Sequence, residues 1–384
     1  MQEPRRARKP ATSWSGLLLV AGAVAAVAAA SSDPGSASKA ASQGWPPFVL
    51  VAGLLLVGLA AADDRLFAAA GERLAGTAKD SRVLFAGIAA LVLIVSAVLN
   101  LDTAVAFLSP VLVHTARRRG DDEVLLLSAC LLLSNAGSLL LPGSNLTNLI
   151  VLGHLHQTGT GFAARMGLPW LAAGVVTATT VAIVGRKVLS RRVDTAGDAI
   201  RPVLGVGAPA VLATTVLIVT LPSPALPVLA VGVVATALRL ASGSSPTSVL
   251  EVLGLPVLLG LLGVAVGLGT LGRDWSGPAR LLTHLGPWAT AGVAAVASIA
   301  LNNLPAASLL AARAPSHPYA LLVGLNLGPN LFVTGSLSWI LWYRASKAAG
   351  GRPSIRRTAM TGLIAVPLSI AAAVALLSAV AGAT

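Results

Sequence analysis

Two of the longest apolar runs in this chain, 83–116 and 283–313, are each broken near the middle by polar residues, LNLDT at 99–103 and LNNLP at 301–305. A helix of about 20 apolar residues crosses the hydrocarbon core of a bilayer, so each run is too long for one crossing and is interrupted where a crossing would lie. In hydrocarbon an unpaired backbone group is costly, and irregular backbone survives at membrane depth only where it lines a protein-enclosed cavity. The rest of the sequence fits that solvent: 55% of residues are hydrophobic, 11% are charged, and the mean hydropathy is +0.82. The fold class expected is therefore an all-α polytopic membrane protein.

The formal charge of +13 would suggest nucleic acid in a soluble protein, but here the basic residues sit in short clusters between apolar runs, where they set topology. No nucleic-acid partner is expected. Full spans are read at 14–30, 46–62, 123–156 (interrupted), 167–185, 203–221, 225–240, 251–271, 318–343 (interrupted) and 358–380. A single crossing at 83–116 would leave Arg82 on one side and Arg117, Arg118 and Arg119 on the other, a conflict that a re-entrant hairpin removes. With the amino terminus cytoplasmic, only Lys39, Arg165, Arg273, Arg280 and Arg313 lie outside, leaving 22 of the 27 basic residues inside. The same count brings the second hairpin in from the opposite face. The sequence thus divides into a basic amino terminus (1–13), a first repeat (14–192), a connecting segment (193–221) and a second, inverted repeat (222–384). SAVLN at 96–100 parallels SIALN at 298–302, and PGSNL at 142–146 parallels TGSLS at 334–338. RRARK followed by an apolar run and AVAAASS also describes a signal peptide, but the repeat needs 14–30 as its first helix. Residues 66–80 read either as an amphipathic helix on the cytoplasmic surface or as a linker.

Four breaks carry the candidate site: 100–103, 136–145, 302–305 and 326–336. Inverted symmetry brings all four to the midplane, where half-helix amino termini and unwound carbonyls offer donors and acceptors. Asp102 is the sharpest residue, because a carboxylate at membrane depth is a functional-site hypothesis by default, here a proton or cation acceptor. The structural alternative is that Asp102 caps the helix beginning at Thr103. Asn100, Thr103, Asn135, Ser138, Ser144, Asn145, Asn148, Asn302, Asn303, Asn326, Thr334 and Ser336 supply donors and acceptors without a charge, suited to stitching the breaks or to holding a polar solute. Pro142, Pro305 and Pro329 account for the breaks themselves. His154 and His156 form an H-x-H with no further ligand nearby, so no metal site is expected, and the lone Cys130 excludes an internal disulfide. No G-x-x-x-x-G-K-[ST] loop is present, and neither a catalytic pair nor a cofactor is indicated.

The stretches DTAVAFLSP (102–110), SNAGSLLLPGSNLTNL (134–149), LNNLPA (301–306) and LGPNLFVTGSLSWILW (327–342) resemble the motifs of the arsenite/antimonite efflux permeases of the ArsB type. Those belong to the ion transporter superfamily, with the dicarboxylate and citrate carriers and some sodium/proton antiporters. The resemblance implies a two-hairpin, inverted-repeat secondary carrier in the inner (plasma) membrane that moves by an elevator or rocking motion. Its solute would bind at the polar tips and be expelled as arsenite or antimonite against inward proton flow. The alternative within the superfamily is a sodium- or proton-coupled carrier of a small anion such as citrate or a dicarboxylate. Asn135 and Asn326 stand where the arsenite branch is expected to have aspartate. A homodimer is compatible with the sequence.

Overall fold

The computed structural model describes residues 14–153, 155, 157–189, 205–243 and 245–382. His154, His156, the basic segment 1–13 and residues 190–204 lie outside the described residues, as does any reading placed on them.

The chain begins with α1 (Trp14–Ser32), α2 (Pro34–Asp63) and α3 (Leu66–Thr77). Asp33 caps α2 by accepting from the N–H groups of Gly35 and Ser36, and Pro34 at the first helical position has no N–H to satisfy. Next come α4 (Ser81–Leu99), capped by Asp80, and α5 (Leu101–Arg119). The interrupted span forms α6 (Glu123–Gly137), a short 3-10 turn at Pro142–Ser144, and α7 (Leu146–Leu152). Then follow α8 (Gly159–Val184), α9 (Arg186–Leu189), α10 (Gly207–Thr220), α11 (Ala225–Ala241), α12 (Pro246–Leu253), α13 (Leu255–Asp274) and α14 (Gly277–Thr283). The last part holds α15 (Pro287–Leu301), α16 (Asn303–Leu310), α17 (Pro318–Leu327), 3-10 turns at Gly328–Leu331 and Val333–Gly335, α18 (Ser338–Ala348) and α19 (Ile355–Gly382). No strand occurs among the described residues, and six helices are long and apolar enough to cross a membrane. The chain is a multi-pass membrane protein.

The span expected at 203–221 contains, in its described part, a helix of 14 residues, Gly207–Thr220, about 21 Å long, which ends where expected, just before Pro222. The segment 66–80 is helical over α3, yet it docks on protein. Phe67 stacks on Phe107 of α5 with centroids 5.7 Å apart, and buried Glu72 pairs with Arg118.

Helix pairings tie distant parts of the chain together. α1 lies along α13 and α11 along α2, while α5 meets α18 and α16 meets α7. The first two contacts are glycine-to-backbone: a methyl on Gly22 would sit 2.1 Å from the Gly260 carbonyl oxygen, and one on Gly232 would sit 2.7 Å from that of Gly53. α4 and α5 form a hairpin whose ends meet, since Ser81 Oγ donates to Asp121 Oδ1 at 2.6 Å. Its tip is a single residue, Asn100, at φ 94°, and the partner pair α15 and α16 turns at Asn302 with φ 82°.

Candidate functional site

The two tips converge. Leu101 and Asp102 from the first, and Asn302, Asn303 and Leu304 from the second, line one small cavity together with Asn145, Leu146, Leu261, Ser336 and Leu337. Its volume is about 20 Å³, room for about one water. Five of the thirteen candidate residues, Asp102, Asn145, Asn302, Asn303 and Ser336, therefore share a single cavity.

At each tip the asparagine side chain folds back on its own helix. Asn100 Oδ1 accepts from Thr103 N at 2.8 Å, and Asn302 Oδ1 accepts from Leu304 N at 3.4 Å. Asn100 is thus the amino-terminal cap of α5, and Asp102 falls inside the first turn instead of capping a helix from Thr103. Freed of that duty, the Asp102 side chain has no hydrogen-bond or ion-pair partner among the described residues, and it is partly buried near the positive end of α5. The corresponding place in the second tip is Leu304, so the carboxylate is a one-sided feature.

Where α6 and α17 break, a buried amide clasp joins them. Asn326 donates to Asn148 Oδ1 (2.8 Å) and to Leu322 O (2.9 Å), and its Oδ1 accepts from Ser138 Oγ and Asn145 Nδ2, both at 2.6 Å. Asn148 in turn donates to Ser138 O at 2.7 Å. Asn135, near the end of α6 as Asn326 is near the end of α17, donates to Leu131 O at 3.2 Å and to Asn330 Oδ1 at 2.9 Å. Asn330 closes the bridge with a bond of 2.9 Å to Leu132 O. Close approach makes these breaks possible: a methyl on Gly137 would lie 2.8 Å from Ser96 Cβ, and one on Gly328 would lie 2.5 Å from Ser298 Oγ.

Two further ties hold the 3-10 turns to the hairpins. Ser144 Oγ donates to Ala97 O and Thr334 Oγ1 to Ile299 O, each at 2.7 Å, three residues before the respective tip asparagine. These contacts pair Ser144 with Thr334, two positions away from the pairing with Ser336 that PGSNL and TGSLS suggest. Ser336 bonds Ser338, and Asn302 Nδ2 donates to Thr334 O at 3.0 Å.

The candidates separate by what their polar atoms are doing. Asn326, Asn145, Asn148, Ser138, Ser144, Thr334 and Asn302 spend their groups on the fold. Asp102 and Asn303 face the tip cavity with side chains that make no hydrogen bond among the described residues. Buried Asn100 Nδ2, Thr103 Oγ1 and Asn135 Oδ1 are likewise without partners among the described residues. Asn330 was missed from the sequence. Its signal was available: a polar residue directly after Pro329 in the second break.

No curated protein matches the sequence. Among solved structures, the Alcanivorax borkumensis YdaH transporter, whose crystal structure revealed an unusual topology, superposes with a TM-score of 0.52 at 12% identity. The match covers 91% of this chain and 88% of that one, and at such identity it shows a shared fold. Residues 11–342 match the CitMHS family, described as citrate transporter. A match over that span, on an all-helical chain with the same architecture as a membrane transporter, places the protein in the citrate transporter family.

Proposed function

We propose that the protein is a secondary active carrier of a small organic anion of the citrate class, coupled to protons through Asp102. The observation that carries this reading is the tip cavity, in which a partnerless carboxylate and a partnerless amide meet at the convergence of four helix interruptions. Helix amino termini and amide donors suit a carboxylate solute, but an ionised Asp102 repels it. Solute and proton therefore favour each other's binding, which is the thermodynamic form of symport. Sodium beside Asp102 would serve the same end, and uptake with and without sodium separates the two.

The cavity's present size admits about a water, so loading requires the tips to part. A cytoplasmic amino terminus, an inner-membrane location and two hairpins that enter from opposite faces are part of the same proposal. A second reading, efflux of a neutral trihydroxide such as arsenite, is favoured by the absence of any arginine or lysine among the residues lining the tip cavity.

Uptake of radiolabelled citrate and of arsenite into proteoliposomes, under an imposed proton or sodium gradient, tests the reading. Citrate uptake driven by inward proton movement, and lost in Asp102→Asn, is expected. Arsenite movement with no carboxylate uptake under either gradient refutes the citrate-class assignment.

A further inference from the structure

At the end of the bundle that holds the α10–α11 turn and the end of α7, a cavity of about 430 Å³ opens beside Pro142 and Leu149 of the first break. Among the described residues its lining has no charged side chain and includes Trp45, Gln43 and Gln157. Gln43, on α2, also lines a crevice of about 10 Å³ whose other polar residues are Arg273 and Ser308, so this one residue borders both spaces.

Arg273, in the last turn of α13, is partly buried and has no carboxylate within ion-pair distance among the described residues. Its neighbour Asp274 instead accepts from Ser36 Oγ at 2.8 Å. A guanidinium has five N–H donors, and the acceptors found here are Gly269 O at 2.8 Å and the Gln43 side-chain oxygen. Arg313 adds a second guanidinium nearby, donating to the Arg273 carbonyl. The only carboxylate acting on Arg273 among the described residues is that of its chain neighbour Asp274, at a distance and without a hydrogen bond. An ionisable group at a membrane helix end with no paired carboxylate is a functional-site hypothesis, and a neutral amide oxygen is a weaker partner for it than a carboxylate. The amide nitrogen of Gln43 is engaged as well, donating to Ile150 O of α7 at 2.8 Å and to Ala311 O, just past α16, at 3.3 Å.

We propose that Arg273 is the carboxylate-binding residue of a second solute site, in which Gln43 occupies the anion's place until a carboxylate displaces it. Displacement joins the crevice to the larger cavity and releases the ties from α2 to α7 and to the end of α16. Binding there thus loosens both elements that lead to the tips. The proposal rests on the citrate-class reading and names where the anion is first recognised.

Citrate uptake by proteoliposomes of the full chain tests it. Arg273→Gln should raise the KM about tenfold or more with Vmax within about twofold, the loss expected for a hydrogen bond to a charged group. Gln43→Glu, which supplies Arg273 with a permanent carboxylate, should raise the KM similarly, and Gln43→Leu should lower it. Native KM values in Arg273→Gln and Gln43→Glu overturn the second site while leaving the citrate-class reading intact. So does a fall in Vmax or yield at unchanged KM, the mark of a structural arginine. If the native protein moves no carboxylate, the citrate-class reading fails, and binding of radiolabelled citrate to the detergent-solubilised protein decides this proposal. Equal binding by native protein and Arg273→Gln, or none by either, overturns it.

Discussion

Asn326 is fully buried, and its two donors and two acceptor positions are all used, three of the four bonds reaching α6, the first 3-10 break or α7. Replacing it with leucine strands Ser138, Asn145 and Asn148 together, so Asn326→Leu should destabilise by about 2 kcal/mol, read as an earlier thermal transition in detergent. Asn303→Ala removes no hydrogen bond from the fold and should leave that transition in place while weakening solute affinity. Acid sensitivity belongs to this scale too. Asp80, outside the spans, accepts from the N–H groups of Val83 and Arg82, and the Val83 bond is the main reason its carboxyl lies below the usual range. A depressed carboxylate adds stability that is complete above the ordinary carboxylate range and fades as pH falls through its lower folded value. Asp80→Asn keeps a capping oxygen, so it should remove part of the loss of stability below about pH 4 and change little at neutral pH. A pH series of melting curves for both proteins checks this. The tip asparagines were legible in the sequence because SAVLN and SIALN place the same turn residue after the same helix. The division between stitching and solute-facing amides was not, since Asn326 and Asn303 differ only in what folding brings beside them.

Breaks were readable at the level of elements because proline and asparagine act on their own neighbours, whereas the one cap read from the sequence, Asp102, gave way to Asn100. Asp33, Asp80 and Asp122 each start a helix one residue later, Pro142 opens a 3-10 turn, and Pro329 is the second residue of another. The correspondence between the two 3-10 breaks was less readable. Ser144 matches Thr334 because both 3-10 turns are seated against a hairpin carbonyl, a distance in space that no local pattern encodes. Helix partners are equally non-local, and the pairing of α1 with α13 rests on backbone contact. A methyl on Gly260 would lie 2.7 Å from the Leu18 carbonyl, so Gly260→Ala should force the helices apart at about 1–3 kcal/mol. Gly292 on α15 has nothing within 4 Å of the same added atom, and Gly292→Ala should be neutral or stabilising through helix propensity. Size-exclusion profiles and melting curves of the two variants distinguish a packing requirement from a general intolerance of larger residues.

The pairings of the whole molecule suggest a division of labour. α1, α2, α11 and α13 lock together through α1–α13, α2–α11 and α2–α13, while α4, α5 and α15 pack chiefly on α6, α17 and α18, and α16 rests on α13 where the two groups meet. The first group is expected to act as a static frame, and the hairpins with the broken helices as the unit that moves, because only their separation or displacement enlarges a tip cavity of about 20 Å³. Gln43 reaches from the frame to Ala311 in the moving unit, whereas Ser81 and Asp121 are both at the base of one hairpin. Paired cysteines at 43 and 311, joined by a short bismaleimide, should therefore abolish citrate uptake. The same reagent acting on cysteines at 81 and 121 should leave it nearly unchanged. Cys130 is fully buried in α6, so background labelling is small. The cysteine variant at 43 before cross-linking supplies the baseline, since it already lacks the glutamine that covers Arg273. Native transport rates after complete cross-linking of 43 to 311 would mean that α2 and the α16 end travel together, and the frame would have to be redrawn to exclude α2.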